Sequence, residues 1–170
     1  RFEFIRANAR FRDAHMLDLD SGQSLTAGHF VIATGSRVAD LPLPQLEAVG
    51  CISSDEALKL EQLPESIIIL GGGAVAVEFA QFFLRFDVEV TLVQRSSRIL
   101  KDFDEDAALA LEAAFREEGM KVFTGCRLLD ARIDGDYKLV TFEHQGKTVE
   151  VRGAEIFHGL GRSPNTGGLD

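Results

Sequence analysis

The sequence has few cysteines and no long apolar run. Only Cys51 and Cys126 occur among 170 residues. They do not stand in a C-x-x-C or metal-ligand spacing, so they are predicted to be ordinary thiols of a reducing compartment, and we expect a cytoplasmic location. No apolar stretch approaches the length that crosses a bilayer, so no membrane partner is expected.

Basic residues are also scarce. Lys and Arg number 18 against 27 Asp and Glu, which gives a formal net charge of −9. This balance argues against nucleic acid as a partner, because phosphate backbones require clustered cations. An anionic ligand must instead be held by local features such as a helix N-terminus. The sequence begins at Arg1 without an initiator Met or a signal peptide, so we expect a part of a longer protein.

The first forty residues are predicted to be rich in β-structure. Alternating phenylalanines come first, a hairpin with a D-S-G-Q turn follows, and a short buried strand ends at a glycine. These features occupy Phe2, Phe4 and Phe11, the hairpin arms 16–20 and 24–30, and the strand 30–35. Two prolines in residues 41–44 predict a linker, because proline is excluded from helix interiors and central strands.

Strands and helices alternate in the rest of the chain. The predicted elements are a short capped helix at 53–60, strand 66–70, helix 74–86, strand 88–93, helix 104–118, strand 121–123, meander strands 127–133, 137–143 and 147–152, and a returning strand 155–158. This order predicts an α/β fold, a Rossmann-like βαβ parallel sheet with a β-meander. Strand 88–93 is apolar on both sides, as expected for a strand buried on both faces.

A glycine-rich run between a strand and a helix is the most informative feature. Residues 67–78 read I-I-I-L-G-G-G-A-V-A-V-E. Gly71 permits the tight turn, Gly73 lets a pyrophosphate approach the backbone, and Ala76 allows close packing of helix on strand. The start of the helix adds free N–H groups and a positive dipole end. The run therefore predicts a dinucleotide-binding site.

Three motifs together make the chain resemble a known family. They are F-V-I-A-T-G-S at 30–36, I-L-G-G-G-A-V-A-V-E at 69–78 and G-L-G-R-S-P-N-T at 159–166. Their order and spacing are similar to those of the flavoprotein pyridine nucleotide–disulfide oxidoreductases. That family includes dihydrolipoamide dehydrogenase, glutathione reductase and mercuric reductase. Local likeness at Q-R-S and A-F-R-E-E-G favours the dihydrolipoamide dehydrogenase and mercuric reductase branch.

The resemblance implies a domain order. The family has an FAD domain, a NAD(P) domain inserted in it and a dimerisation domain, and a homodimeric parent is implied. Residues 1–45 are then a β-rich segment of the FAD domain, 46–165 the NAD(P)-binding domain, and 166–170 the start of the return to the FAD domain. The implied cofactors are NADP or NAD here and FAD in the parent. The implied partners are the FAD and dimerisation domains.

The resemblance also implies which residues bind cofactors. Those facing the nicotinamide dinucleotide are Gly71, Gly72, Gly73, Ala74, Val75, Ala76, Glu78 and Gly161, with Cys126 beside the adenine. Those near the nucleotide half of the flavin are Ala9, Thr34, Gly35 and Ser36. The family's redox cysteine pair falls before Arg1, and its catalytic His–Glu pair falls after Asp170. This piece is therefore expected to bind cofactor without turning over substrate alone.

The end of the second strand bears on the choice between NADH and NADPH. NAD-specific sites place Asp or Glu about 20 residues past the glycines, where the carboxylate bonds the ribose and repels a 2′-phosphate. Neutral Gln94 stands there, followed by Arg95, Arg98 and Lys101. Arginine holds phosphate through a planar fork, so the sequence favours NADPH. The alternative is that the arginines are solvated and Gln94 bonds the ribose of NADH.

Other interpretations stay open at the level of the sequence. The parent could be a flavin reductase that lacks the redox cysteine pair, such as a ferredoxin reductase or NADH oxidase relative. It could also be a non-catalytic nucleotide-binding module. The histidines show no metal-ligand spacing; His144 is interpreted as a surface or turn residue. His158 is interpreted as a strand-end histidine with satisfied hydrogen bonds, the alternative being a cofactor contact.

Overall fold

A computed structural model describes residues 2–170, which form two compact units. The first unit comprises the chain up to Arg37 together with Arg162–Asp170, and the second is Val38–Gly161. Arg1, the first residue of the predicted β-rich segment, lies outside the described residues. No helix among residues 2–170 is long and apolar enough to cross a membrane.

The first unit is made of short strands. They are β1 (Ala9–Asp13), β2 (Met16–Leu19), β3 (Ser24–Thr26), β4 (Ser36–Val38) and β12 (Arg162–Pro164). The first three form an antiparallel sheet in the order β1-β2-β3, and β4 pairs with β12. The predicted hairpin is confirmed as β2 and β3, with Gly22 at φ +85° in its turn, although its second arm ends at Thr26.

The predicted buried strand at 30–35 is wrong. These residues adopt no regular secondary structure, and Val31 and Ile32 are 92% and 54% exposed. An apolar run is buried as a strand only where neighbouring strands pair with it, and no described residue pairs with 30–35 as a strand. Phe2 and Phe4 are likewise exposed and outside any strand.

The second unit is a parallel sheet covered on both faces. Its elements are α1 (Pro44–Val49), α2 (Ser54–Ala57), β5 (Ser66–Leu70), α3 (Ala74–Arg85), β6 (Glu89–Val93), α4 (Glu105–Glu117), β7 (Lys121–Phe123), β8 (Arg127–Asp134), β9 (Tyr137–His144), β10 (Lys147–Gly153) and β11 (Glu155–His158). The parallel sheet has the order β11-β5-β6-β7, and the meander forms a separate antiparallel sheet, β10-β9-β8. The predicted α/β fold with a meander is therefore confirmed.

Alternation along the central strands divides the core into two clusters. Ile67 and Ile69 of β5 face a cluster with Phe83 of α3 and Phe115 of α4. Ile68 and Leu70 face the other side, where α1 and the meander strands pack. Every one of these four β5 residues is at most 1% exposed. A strand with both sides buried reads as a continuous apolar run, which is why I-I-I-L precedes the glycines.

Local signals set the ends of the helices. α4 begins after Asp104 with Glu105 and Asp106 in its first turn, and Gly119 follows it at φ +97°. The linker prediction for residues 41–44 is wrong at its last residue, because Pro44 begins α1. A proline at the first helical position costs no hydrogen bond, because the N–H that it lacks would have no partner within the helix. Its fixed φ also suits the helix. The helix predicted to reach about residue 60 ends earlier, at Ala57.

Candidate functional site

A cavity of about 530 Å³ lies at the carboxyl ends of the parallel strands. The turns that follow β5, β6 and β11 form it, which is the edge where ligands bind in open α/β sheets. The lining residues that the sequence singles out are Gly71, Gly72, Gly73, Gln94, Arg95, Lys101, Cys126 and Gly161. All of them belong to the unit Val38–Gly161.

The two glycine turns after β5 and β11 contact each other through their backbones. Gly71 has φ +112°, and a Cβ there would lie 2.5 Å from the carbonyl oxygen of Gly159. A Cβ on Gly159 would in turn lie 2.7 Å from the Cβ of Ala76 on α3. Three small residues therefore allow the helix start and both turns to meet, which no larger side chain permits. The motif G-L-G-R marks Gly159 as a turn residue, but its contact with Gly71 joins residues 88 positions apart and is not visible in the sequence.

The N-terminus of α3 opens onto the cavity. Gly73 is the N-cap residue, its φ is −78°, no side chain caps the helix, and no acidic residue stands in the first turn. A Cβ on Gly73 would meet no atom of residues 2–170 within 4 Å. Ala74 and Val75 are exposed, whereas Ala76 is fully buried. The first N–H groups of the helix are thus available to an anion, and the helix dipole favours one.

Gln94 is buried beneath the glycine turn and does not project into solvent. Its side chain is the nearest neighbour of Gly72, where a Cβ would lie 3.0 Å from the Gln94 Cδ. The N–H of Arg95 donates to Gln94 Oε1 at 2.9 Å, and Gln94 Nε2 donates to the Arg98 carbonyl at 3.5 Å. The side chain thus holds the backbone at the end of β6.

The three basic residues after β6 have different surroundings. Arg95 is exposed on the cavity lining, and its guanidinium forms no ion pair with any residue from 2 to 170. Lys101 pairs with Asp102 at 2.7 Å. Arg98 donates to the carbonyls of Lys101 and Phe103 and lies 3.8 Å from Glu105 Oε2. Of the two arginines, only Arg95 lines the cavity.

Cys126 lines the cavity as a protonated thiol. Its residue is 3% exposed, and burial raises its pKa to about 11. Its Sγ lies 3.6 Å from Nδ1 of His144, whose ring packs edge-on against Phe123 with 5.4 Å between the ring centres. His144 is therefore half-buried at the end of β9, which corrects its interpretation as a surface or turn residue. Because this thiol stays protonated at neutral pH, it contributes to packing and does not act as a nucleophile.

His158 is not hydrogen-bonded as the sequence suggested. Its backbone N–H donates to Ile52, but its buried Nδ1 has no partner among the described residues. Burial lowers the pKa of this imidazole, and the nearby carboxylate of Glu56 opposes that shift. The ring is therefore neutral at pH 7, which removes the cost of a buried charge.

The remaining predicted site residues occupy other places. Glu78 is exposed on α3. Ala9 pairs with Leu19 between β1 and β2. Within the first unit, the segment 34–36 is held by the residues of 162–165: Thr34 Oγ1 donates to the Asn165 carbonyl, the Asn165 N–H donates to Gly35, and Arg162 Nε donates to Ser36 Oγ at 2.7 Å.

Comparison with known proteins gives consistent matches. A family model described as pyridine nucleotide-disulphide oxidoreductase matches residues 1–170. The mercuric reductase of Streptomyces lividans is 36% identical over an alignment of 172 residues that covers 99% of this chain and 36% of that protein. The dihydrolipoyl dehydrogenase of Bacillus subtilis (strain 168) is 33% identical over 141 residues, 82% of this chain and 30% of that protein.

A solved structure agrees with these relatives. The HOCl-induced flavoprotein disulfide reductase RclA from Escherichia coli matches with a TM-score of 0.73 and 25% identity over 96% of this chain and 37% of that one. The chain thus spans about a third of the length of the relatives it matches.

Proposed function

Because the chain belongs to the pyridine nucleotide-disulphide oxidoreductase family, we propose that its cavity binds the nicotinamide dinucleotide of a flavin-dependent oxidoreductase. The observation that carries the proposal is the open, uncapped start of α3 beside Gly73. A pyrophosphate needs backbone N–H groups, a positive dipole end and no side chain in its way. All three requirements are met at this one place.

The other predicted site residues are assigned from the lining of the cavity and from what the family resemblance implies. Gly71, Gly72 and Gly161 shape the turns around the dinucleotide, while Ala74, Val75 and Ala76 form the first turn of α3, in which Ala76 is buried against Gly159. The buried Cys126 offers an apolar surface for the adenine. Glu78 is assigned to the nicotinamide end, and Ala9, Thr34, Gly35 and Ser36 are assigned to the FAD side of the parent enzyme.

We propose NADPH as the preferred dinucleotide. The end of β6 carries no carboxylate that would repel a 2′-phosphate, because Gln94 is neutral and turned beneath Gly72. Arg95 lines the cavity with its guanidinium unpaired among residues 2–170, so it is available to the phosphate. Lys101 lines the same cavity, and Asp102 offsets part of its charge.

The activity of the parent is proposed from the family. The bound nicotinamide would supply a hydride to the flavin, and the reduced flavin would pass two electrons to the disulfide of a redox cysteine pair, in an enzyme of the mercuric reductase or dihydrolipoyl dehydrogenase type. The residues of this chain bind and orient the dinucleotide. The groups that reduce the final substrate are expected in other parts of the parent.

Calorimetric titration of the 170-residue chain with NADPH and with NADH tests the proposal. We expect saturable 1:1 binding of both, with NADPH tighter. Arg95→Glu should weaken NADPH at least about tenfold more than NADH, because a charge-assisted bond worth about 1.5–3 kcal/mol is replaced by repulsion.

Arg6→Glu is the matched control, since it makes the same charge change at an exposed position of the first unit. Its affinities should equal those of the wild type. Tighter binding of NADH by the wild type would reject the NADPH preference, and binding of neither dinucleotide would reject the proposed function itself.

A further inference from the structure

The loop that follows β6 forms one wall of the cavity, and Arg98 lies behind that wall. Its Nη2 donates to the carbonyl of Lys101 at 2.8 Å and to the carbonyl of Phe103 at 3.1 Å. The side chain is only 25% exposed, and Arg98 does not line the cavity. One guanidinium therefore closes the loop on itself without lining the cavity.

The loop that Arg98 closes is also bonded to the glycine turn. The N–H of Leu100 donates to the Gly72 carbonyl at 2.6 Å. Leu100 has φ +47°, which a branched side chain adopts only where its surroundings enforce it. Fully buried Ile99 anchors the loop before Leu100. The bonds from Arg98 to the carbonyls of Lys101 and Phe103 fix the loop after Leu100.

We propose that Arg98 is a positioning residue, which holds Leu100 on the Gly72 carbonyl and so fixes the glycine turn against the dinucleotide. This inference rests on the proposed function and replaces the direct cofactor contact that the sequence suggests for Arg98. Nη2 of Arg98 is engaged by the carbonyls of Lys101 and Phe103, and Arg98 does not line the cavity, so a contact with a 2′-phosphate would require its side chain to move. Arg98 therefore acts on both dinucleotides equally, whereas Arg95 distinguishes them.

Only arginine suits this role at this place. Its Nη2 donates to both carbonyls, while Nη1 of the same planar group lies 3.8 Å from Glu105 Oε2. The single ammonium of lysine lacks that fixed geometry. Methionine keeps an apolar stem of similar length but provides no donor.

The test compares Arg98→Met and Arg98→Lys with the wild type by titration with NADH and NADPH. We expect Arg98→Met to weaken the binding of both dinucleotides by the same factor, about fivefold to tenfold. The loss of order in the loop should cost about as much as one net hydrogen bond. The ratio of the two affinities should stay within about twofold of the wild-type ratio. Arg98→Lys should lie between Arg98→Met and the wild type.

A second measurement follows the loop without any ligand. Hydrogen exchange of the Leu100 amide should be faster in Arg98→Lys and Arg98→Met, while amides of β5 keep their wild-type protection. Arg116→Met is the matched control. Arg116 also donates to a backbone carbonyl, that of Val122 at 3.1 Å, and pairs with the buried Glu112 at 2.5 Å, both away from the cavity. Its loss should lower the overall stability and leave both affinities and Leu100 exchange unchanged.

Three results would overturn the inference. A selective loss of NADPH in Arg98→Met would make Arg98 a direct phosphate contact. Unchanged affinities for both dinucleotides, or unchanged exchange at Leu100, would remove its role in the cavity. Failure of the wild type to bind either dinucleotide is distinguishable, because that result rejects the proposed function along with this inference.

Discussion

At the scale of single residues, Gly71 and Gly73 have opposite surroundings. Gly71 is left-handed and has the Gly159 carbonyl where a Cβ would stand, so its missing side chain serves the fold. Gly73 has an ordinary φ of −78° and open space where its Cβ would stand. No contact within residues 2–170 therefore requires a glycine at this position, and the absence of a side chain leaves room for a ligand.

Alanine at each glycine separates these two roles. Gly71→Ala should lower the free energy of unfolding by at least about 2 kcal/mol, because it combines a left-handed φ with a close contact to backbone. Gly73→Ala should stay within about 1 kcal/mol of the wild type in urea unfolding. It should nevertheless weaken NADPH binding at least about tenfold, because the methyl group stands in the path of the pyrophosphate. Equal stability of the two variants, or wild-type affinity in Gly73→Ala, would contradict this account.

At the scale of elements, those with strong local signals could be predicted closely. The sequence predicts both ends of β5, β7 and β11 correctly and the ends of α3 and α4 within one residue, because apolar runs, glycines and, at α4, an acidic first turn mark them. Prediction failed at residues 30–35, where the pattern is that of a strand but pairing decides the structure. It failed at Pro44 because the same residue that excludes a helix interior also favours a helix start.

Helix α2 begins with a capping box, which should make its stability depend on pH. The Asp55 N–H donates to Ser53 Oγ at 3.2 Å, and the backbone N–H and hydroxyl of Ser53 both donate to the Glu56 carboxylate. The hydroxyl, and then the N–H, lower the pKa of Glu56 below its ordinary value of 4.5. The stabilisation is thus complete above pH 4.5 and is lost as the pH falls through the lower folded value.

Ser53→Ala tests this dependence. Thermal or urea unfolding at pH 7 should show a loss of about 1 kcal/mol, because the helix loses its cap. The difference between the wild type and the variant should shrink as the pH is lowered from 5 to 3. A difference that stays constant over this range would show that the Glu56 carboxylate does not stabilise the cap.

At the scale of the whole molecule, the cavity belongs to one unit. Every residue that lines it lies within Val38–Gly161, and so do both core clusters. The sequence predicts the residues of this site as a set of local motifs. It does not reveal that Gly71 meets Gly159, because that contact joins residues 88 positions apart in the sequence. It also does not reveal that Arg98 closes its own loop, because those bonds depend on the local bend of the backbone at left-handed Leu100.

A fragment of residues 38–161 should therefore fold and keep the binding properties of the complete chain. Circular dichroism should show a cooperative unfolding transition, and titration should give an NADPH affinity within about threefold of that of the 170-residue chain. A fragment that unfolds without cooperativity, or that binds more than about tenfold more weakly, would show that the site needs residues outside this unit.

The most direct measurement of the central claim is an amide chemical-shift map of the ¹⁵N-labelled chain titrated with NADPH. The account predicts the largest chemical-shift changes at the amides of Gly71–Ala76 and the next largest at those of Arg95 and Gly161. Changes confined to other parts of the chain, or none at saturating NADPH in a folded sample, would contradict the assignment of this cavity as the dinucleotide site.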